Sequence, residues 1–227
     1  MQKITLQKII KDQAIGRPVV LATYLTTGEE ELIYPLDSIG NKNLLEHANI
    51  SIDLDKSAII DTKDGPVFLH VFNSPLQLIL VGAVHIAQPL SAIATISGYN
   101  VTIIDPRLAF ISSERFPNVS LRTEWPDEAL EIIKPDNRTA IVTLTHDPKL
   151  DDPALKVAMK SPAFYIGALG SKKTHATRKQ RMTEDGISEA NVKRIHGPVG
   201  LNIFAKSPSE IAVSILAEIT FKLRGTQ

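Results

Sequence analysis

Four short apolar segments, each followed by glycine or polar residues, constrain the fold of this chain more than any other feature. They occupy residues 76–81 (LQLILV), 101–104 (VTII), 140–144 (AIVTL) and 163–166 (AFYI). Continuous apolar runs of this length are typical of strands that are buried on both faces of a parallel sheet. Helical patterns separate the four segments. The alternation predicts an α/β fold with a Rossmann-like, doubly wound parallel sheet.

The first third of the chain has a different pattern. An amphipathic helix is predicted within residues 1–15, and short strands are predicted at 18–25, 32–34, 57–61 and 67–72. Residues 73–75 (NSP) are turn formers and mark a boundary. We therefore predict a small β-rich N-terminal domain, residues 1–75, and a Rossmann-like cofactor-binding domain, residues 76–227.

Composition excludes several classes of function. Lys and Arg together number 25, as do Asp and Glu, so no net charge favours nucleic acid or an anionic membrane. Cysteine is absent, which excludes disulfides, thiolate metal sites and a thiol nucleophile. The N-terminus lacks a secretory signal, and the most apolar run is shorter than the ~18 residues of a membrane helix. We expect a cytoplasmic protein with no nucleic-acid or membrane partner.

The first strand end resembles a dinucleotide-binding turn but departs from it at one position. Gly82 and Ala87 occupy the first and last positions of G-x-G-x-x-G/A, whereas Val84 replaces the second glycine. The valine side chain would obstruct a pyrophosphate at that point. We predict that a nucleotide or pterin lies near Gly82, Ala83, Val84 and His85. The alternative is an ordinary turn between a strand and a helix.

The second strand end carries an acidic residue followed by a basic one. Asp105 lies 23 residues beyond Gly82, where dinucleotide-binding domains place the acid that binds ribose. We expect Asp105 to accept hydrogen bonds from a ligand hydroxyl or a pterin N–H, with Arg107 in the same site. The alternative is a structural aspartate that ends a strand.

The third strand end is the polar sequence Thr145, His146, Asp147. His146 has the chemistry to donate or accept a proton near neutral pH, and Asp147 could orient it or bind a sugar hydroxyl. The alternative is a helix-entry turn in which Asp147 accepts hydrogen bonds from backbone N–H groups. We predict that all three residues contact the ligand.

The fourth strand end opens a basic helix. Gly167 and Gly170 allow the backbone to present its amides, Ser171 adds a donor, and Lys172 and Lys173 add positive charge. The spacing is not that of a P-loop. We predict that this segment binds a phosphate; the alternative is a solvated basic helix face.

A loop rich in glycine and proline surrounds His196, which either points into the same pocket or lies on the surface. The six histidines show no metal-ligand spacing, so no metal site is predicted. The chain has no G-x-S-x-G elbow and no Tyr-x-x-x-Lys pair, so no catalytic residue is assigned. We expect an accessory protein rather than a catalyst.

Seven stretches of the predicted Rossmann-like domain, taken in order, carry a family resemblance. They are 81–90 (VGAVHIAQPL), 101–110 (VTIIDPRLAF), 114–118 (ERFPN), 142–155 (VTLTHDPKLDDPAL), 165–178 (YIGALGSKKTHATR), 195–203 (IHGPVGLNI) and 207–219 (SPSEIAVSILAEI). Together they resemble the XdhC/CoxI family, specifically its C-terminal Rossmann domain. The resemblance implies a maturation chaperone that binds molybdenum cofactor as cargo, as molybdopterin or its dinucleotide form. It further implies delivery to an apo molybdenum hydroxylase of the xanthine dehydrogenase or carbon monoxide dehydrogenase type.

The chain departs from the family pattern in two ways. Residues 1–75 lack the glycine-rich, cysteine-containing stretch of full-length members, so a separate chain could supply it. Asn202 and Phe204 stand where the pattern has Asp and Gly. We expect a homodimer. The alternatives to a cofactor chaperone are an NAD(P)-dependent oxidoreductase and an assembly protein that binds no ligand.

Overall fold

The computed structural model describes residues 2–225, and its contacts divide the chain into two compact units between Pro75 and Leu76. The first unit contains a four-stranded antiparallel sheet in the order β2-β1-β4-β3. Its elements are helix α1 (Lys3–Ala14), strands β1 (Val19–Tyr24) and β2 (Glu30–Ile33), a 3₁₀ turn (Pro35–Asp37), helix α2 (Lys42–Asp53), and strands β3 (Ala58–Thr62) and β4 (Gly65–Phe72).

Helix α2 is absent from the sequence-based prediction of the first unit. Asn41 caps it by accepting a hydrogen bond from the backbone N–H of Asn43 at 3.0 Å. Leu44, Ala48 and Ile52 recur every four residues and are buried against the antiparallel sheet. The apolar face of this helix therefore supplies one side of the core of the first unit.

The second unit is a six-stranded parallel sheet with helices on both faces, which confirms the predicted Rossmann-like fold. The strand order is β10-β9-β8-β5-β6-β7. The elements are β5 (Leu76–Val81), α3 (Ala87–Ile96), β6 (Tyr99–Ile104), β7 (Ser120–Arg122), α4 (Pro126–Ile133), β8 (Thr139–Thr143), α5 (Pro148–Lys160), β9 (Tyr165–Ala168), α6 (Lys172–Glu184), α7 (Glu189–Val192), β10 (Ile195–His196) and α8 (Pro208–Arg224).

Alternate residues of β5 enter two different cores. Leu78 and Leu80 pack on the side of the sheet that α3 and α8 cover, and Ile79 and Val81 pack on the side of α4 and α5. Both faces of the strand are therefore buried, as its continuous apolar sequence predicts.

The strand order of the parallel sheet reverses between β5 and β8. From β5 the chain proceeds to β6 and β7 on one side, and it then returns to place β8, β9 and β10 on the other side. In open α/β sheets, ligands bind beyond the carboxyl ends of the strands at such a switch point. The strand ends that follow Val81 and Thr143 therefore define the region of interest.

The bounds of strand β9 differ from the predicted ones. It spans Tyr165–Ala168 rather than 163–166, because its register with β8 pairs Tyr165 with Ala140 and Ala168 with Thr143. Its other edge pairs with the two-residue strand β10, which was not predicted. Helix α5 begins at Pro148, directly after Asp147, which caps it. Among residues 2–225, no helix combines the length and apolar character that crossing a membrane requires.

Candidate functional site

The ends of β5 and β8 touch at Gly82 and Thr145. Gly82 has φ +111°, a left-handed conformation that favours glycine, and a Cβ placed there would lie 2.6 Å from Thr145 Cγ2. The N–H of Leu144 donates to the carbonyl of Val81 at 2.8 Å. The crevice at the switch point is therefore narrow at its base.

Asp105 lies beside this turn and is fully buried. Its carboxylate accepts hydrogen bonds from the backbone N–H of Ala83 (2.8 Å) and Arg107 (3.0 Å) and from Arg107 Nε (2.9 Å) and Nη2 (2.8 Å). Burial alone would raise the pKa of Asp105, but these hydrogen bonds outweigh it and lower the pKa. A ribose-binding carboxylate needs an exposed oxygen, so contact between Asp105 and a ligand hydroxyl would require Arg107 to move.

Arg107, unlike its partner Asp105, is partly exposed at the protein surface. Its side chain is 36% exposed, and its guanidinium lies 4.6 Å from the centre of the Phe110 ring. The hydrogen bond to Asp105 is the main cause of its raised pKa, and Asp147 and Asp151 add to the rise. Arg107 is therefore a fixed cation close to the carboxyl end of β8.

The turn after β8 is a hydrogen-bonded helix entry. The Asp147 carboxylate accepts from the N–H of Lys149 at 2.9 Å, and the N–H of Asp147 donates to Thr145 Oγ1 at 3.0 Å. Thr145 Oγ1 in turn donates to Asp151 Oδ1 at 2.7 Å. His146 is exposed, with φ +61°. The turn uses Thr145 and Asp147 for its own geometry and leaves His146 open to a ligand.

A buried ion pair that sequence analysis missed lies below this turn. Asp151 Oδ2 is 3.5 Å from Arg178 Nη2, and the two side chains are 1% and 2% exposed. Burial raises the pKa of Asp151 and lowers that of Arg178, in each case against the attraction of the partner. Helix periodicity is the signal that identifies Arg178, because His175, Arg178 and Met182 form the buried face of α6.

Helix α6 begins where the phosphate site was predicted. Gly170 has φ +146°, and Ser171 caps the helix by accepting from the N–H of Thr174 at 3.1 Å. Lys172 and Lys173 are exposed on the first turn. The first N–H groups of a helix have no intrahelical acceptor, so this end of α6 favours an anion.

Gly167 lies inside the sheet rather than at its edge. It is buried in β9, where it pairs with Val142 and His196. A Cβ at this position would lie 2.6 Å from Val199 Cγ2. The absence of a side chain here makes room for the loop that carries Val199.

His196 belongs to a separate cluster that involves α8. Its Nδ1 lies 3.0 Å from Glu218 Oε1, and its ring lies 4.7 Å from that of Tyr165. Glu218 Oε2 accepts from Tyr165 Oη and from the N–H of Gly200, each at 2.6 Å. Burial would raise the pKa of Glu218, but these hydrogen bonds outweigh it and lower the pKa.

The fold thus connects most of the predicted residues but not all of them. Val84 is half-buried against the core, and His85 is exposed, with no hydrogen bond or ion pair to the other predicted residues in the described part of the chain. Residues 2–225 contain no group of three His, Asp or Glu side chains arranged to hold a metal ion. The connected residues are Gly82, Ala83, Asp105, Arg107, Thr145, His146, Asp147 and Lys173.

The chain is similar in sequence to curated proteins that are linked by name to molybdenum enzymes. The chain is 30% identical over 148 residues to the molybdenum cofactor insertion chaperone PaoD of Escherichia coli, which is 65% of this chain and 40% of PaoD. It is 32% identical over 154 residues to a probable xanthine dehydrogenase subunit of Bacillus subtilis, 67% of this chain and 44% of that protein. The chain therefore spans less than half the length of these curated relatives.

A solved structure shares the fold. It is described as a xanthine dehydrogenase from Bacillus halodurans and superposes with a TM-score of 0.76 at 23% identity, over 99% of this chain and 65% of that one. The family description "XdhC Rossmann domain" matches residues 78–219, the greater part of the chain. The chain belongs to the XdhC family and carries its Rossmann domain.

Proposed function

We propose that this protein is a maturation chaperone that binds molybdenum cofactor and delivers it to an apo molybdenum hydroxylase. The observation that carries the proposal is that the XdhC Rossmann domain, residues 78–219, includes every predicted binding residue from Gly82 to His196. One relative of this domain is named a molybdenum cofactor insertion chaperone, and another is named a probable xanthine dehydrogenase component. The cofactor is cargo, so the site has to bind it and release it.

The residues at the carboxyl edge of the sheet suit a cargo that carries a phosphate. Arg107 and Lys173 are cations at this edge, and helix α6 begins there with N–H groups that lack intrahelical acceptors. His146 is exposed between them in sequence, on the turn after β8. The pterin would lie over the Gly82 turn, where Val84 leaves less room than a glycine would.

The burial of Asp105 argues against the alternative, an NAD(P)-dependent oxidoreductase. A dinucleotide domain uses the acid at this strand end to bind ribose hydroxyls. Here the carboxylate is fully buried and accepts four hydrogen bonds from Ala83 and Arg107. Titration with NADH and NADPH, followed by the fluorescence of Trp125, tests this alternative. Micromolar binding together with turnover of a carbonyl substrate would favour the oxidoreductase.

Native mass spectrometry of the protein, co-produced with active cofactor synthesis, tests the chaperone proposal directly. The expected mass increase is that of molybdopterin or its dinucleotide form, and a nicotinamide dinucleotide or no addition would contradict the proposal. The same spectra report self-association and any co-purified chain. A homodimer and a separate chain with the cysteine-containing segment stay predictions for this measurement.

A further inference from the structure

The buried guanidinium of Arg178 has fewer hydrogen-bond acceptors around it than it has N–H donors. Its Nη2 donates to the carbonyl of Leu169 at 3.1 Å and lies 3.5 Å from Asp151 Oδ2. Its Nε and Nη1 are buried and have no hydrogen-bond partner among the residues that the structure describes. A guanidinium has five N–H donors, and buried polar groups are as a rule hydrogen-bonded. Two free nitrogens on a side chain that is 2% exposed call for an acceptor.

Arg178 lines a cavity of about 260 Å³ between the turn after β8 and helix α6. The remaining wall residues are two more basic side chains, two hydroxyl side chains, an imidazole and a proline: Lys173, Arg181, Thr174, Thr177, His146 and Pro148. No carboxylate is among these wall residues. The cavity therefore presents donors from several directions next to the first turn of α6.

The cations of the cavity differ in how far they are already paired. Arg181 is held by Asp152 through two contacts of 2.7 and 3.1 Å, so its charge is largely balanced. Asp151 faces Arg178, but its other oxygen accepts from Thr145 Oγ1 at 2.7 Å, which fixes the carboxylate on one side of the guanidinium. Lys173 is exposed at the rim. Arg178 and Lys173 are thus the two cations that an incoming anion would engage.

We propose that this cavity binds a phosphate monoester, with Lys173 and Thr174 at its rim and with Arg178 as its deep donor. Because Nε and Nη1 of Arg178 are closed to solvent in this structure, the guanidinium has to turn toward the cavity when the phosphate binds. A tetrahedral phosphate offers three acceptor oxygens in different directions, which suits donors spread around a cavity better than a planar carboxylate does. The assignment of this phosphate to the pterin cargo rests on the proposed function, whereas the existence of the phosphate site is independent of that function.

Two neighbouring lysines provide a matched test on the full chain. Lys173 lines the cavity, whereas Lys172, also exposed on the first turn of α6, does not. We expect isothermal titration calorimetry with inorganic phosphate at low ionic strength to show saturable binding that Lys173→Ala weakens several-fold. Lys172→Ala should change the dissociation constant less than twofold. Absence of phosphate binding, or equal losses in both variants, would overturn the proposal.

Arg178→Lys tests the deep donor, because it keeps the positive charge but removes the fork of N–H groups. Binding of inorganic phosphate should weaken at least tenfold while circular dichroism and thermal unfolding show a folded protein. Wild-type affinity in this variant would contradict the role of Arg178. If the variant unfolds, the comparison of the two lysine variants decides the question.

Native mass spectrometry separates the source of the phosphate from the existence of the site. A pterin that is retained by the wild type and lost from Lys173→Ala supports the full assignment. Calorimetry could show phosphate binding that depends on Lys173 while the mass spectra show a bound nucleotide or no pterin. That combination would refute the proposed function but would still support the phosphate site. A pterin retained equally by wild type and Lys173→Ala contradicts the assignment of the phosphate to the cargo.

Discussion

Asp151 and Arg178 form a buried ion pair that joins helix α5 to helix α6. Oδ2 and Nη2 are 3.5 Å apart, and both side chains are almost completely buried. Through its other oxygen Asp151 also holds Thr145, which touches Gly82 across the switch point. One carboxylate therefore connects the ends of two central strands to the helix that carries the predicted phosphate site.

Asp151→Ala should destabilise the protein by about 3–5 kcal/mol, because it leaves Arg178 as an uncompensated buried charge. Asp152→Ala is the matched control: it removes the pair with Arg181, whose side chain is 33% exposed, and should cost about 1 kcal/mol. Urea unfolding of both variants measures the difference in the free energy of unfolding. Equal decreases in the free energy of unfolding would show that the buried Asp151 pair contributes no more to stability than the partly exposed Asp152 pair.

Gly82→Ala should destabilise the protein by about 2–4 kcal/mol, from the left-handed backbone and the overlap with Thr145 Cγ2. Thr145→Ser removes that methyl group and keeps the hydroxyl. The double variant should therefore recover the steric part of the loss, since the next atom that the new Cβ meets is 3.3 Å away. A double-mutant cycle by thermal unfolding measures this coupling, and strict additivity of the two changes would contradict the predicted contact.

His175 should make stability depend on acid pH. Burial, followed by the charges of Lys179 and Arg178, lowers its pKa from 6.5 to about 4. Between these values the unfolded chain binds more protons than the folded one, so stability falls as the pH falls from 6.5 to about 4. The loss should reach about 3 kcal/mol. His175→Gln should flatten this part of the pH profile; a profile parallel to that of the wild type would count against the prediction.

Asp105→Ala should cost about 2–4 kcal/mol, because it removes four hydrogen bonds from a fully buried carboxylate and releases Arg107. Arg107→Ala should weaken binding of a phosphate-bearing ligand and should also destabilise the protein, because it leaves the fully buried Asp105 carboxylate with only two backbone N–H donors. Thermal unfolding and ligand titration of both variants separate the two roles. A nearly unchanged melting temperature in Asp105→Ala, with loss of ligand binding, would show direct contact with the ligand instead.

Segments whose burial follows from local sequence could be predicted well. The run 76–81 implies a strand with both faces covered, and Leu78 and Ile79 do enter opposite cores. The short strand β10 could not be predicted, because two residues have no periodicity and Ile195 and His196 form a strand only by pairing with β9. Helix α2 was missed although Leu44, Ala48 and Ile52 recur at helical spacing.

The site was harder to predict, because a polar residue at a strand end can either bind a ligand or form hydrogen bonds within the protein. The strand pattern places Asp105 and Thr145 at the edge of the sheet, but it carries no sign that Arg107 and Asp151 already hydrogen-bond to their oxygen atoms. Arg178 was overlooked because a basic residue in a basic helix suggests solvent exposure. Its helical spacing from His175 and Met182 was the available signal, but only the packing of α6 against α5 shows that this face is the buried one.

The Glu218 cluster bears on the order in which neighbouring elements of the second unit form. Tyr165 and Glu218 are 53 residues apart, whereas the β8–β9 partners Ala140 and Tyr165 are 25 apart, so closing the Glu218 contact costs more chain entropy than pairing β8 with β9. We therefore expect helix α8 to dock after β8 and β9 have paired, and to leave before that pair separates when the protein unfolds. Tyr165→Phe should then accelerate unfolding several-fold and leave the folding rate unchanged in stopped-flow experiments. A slower folding rate would instead place this contact in the folding nucleus.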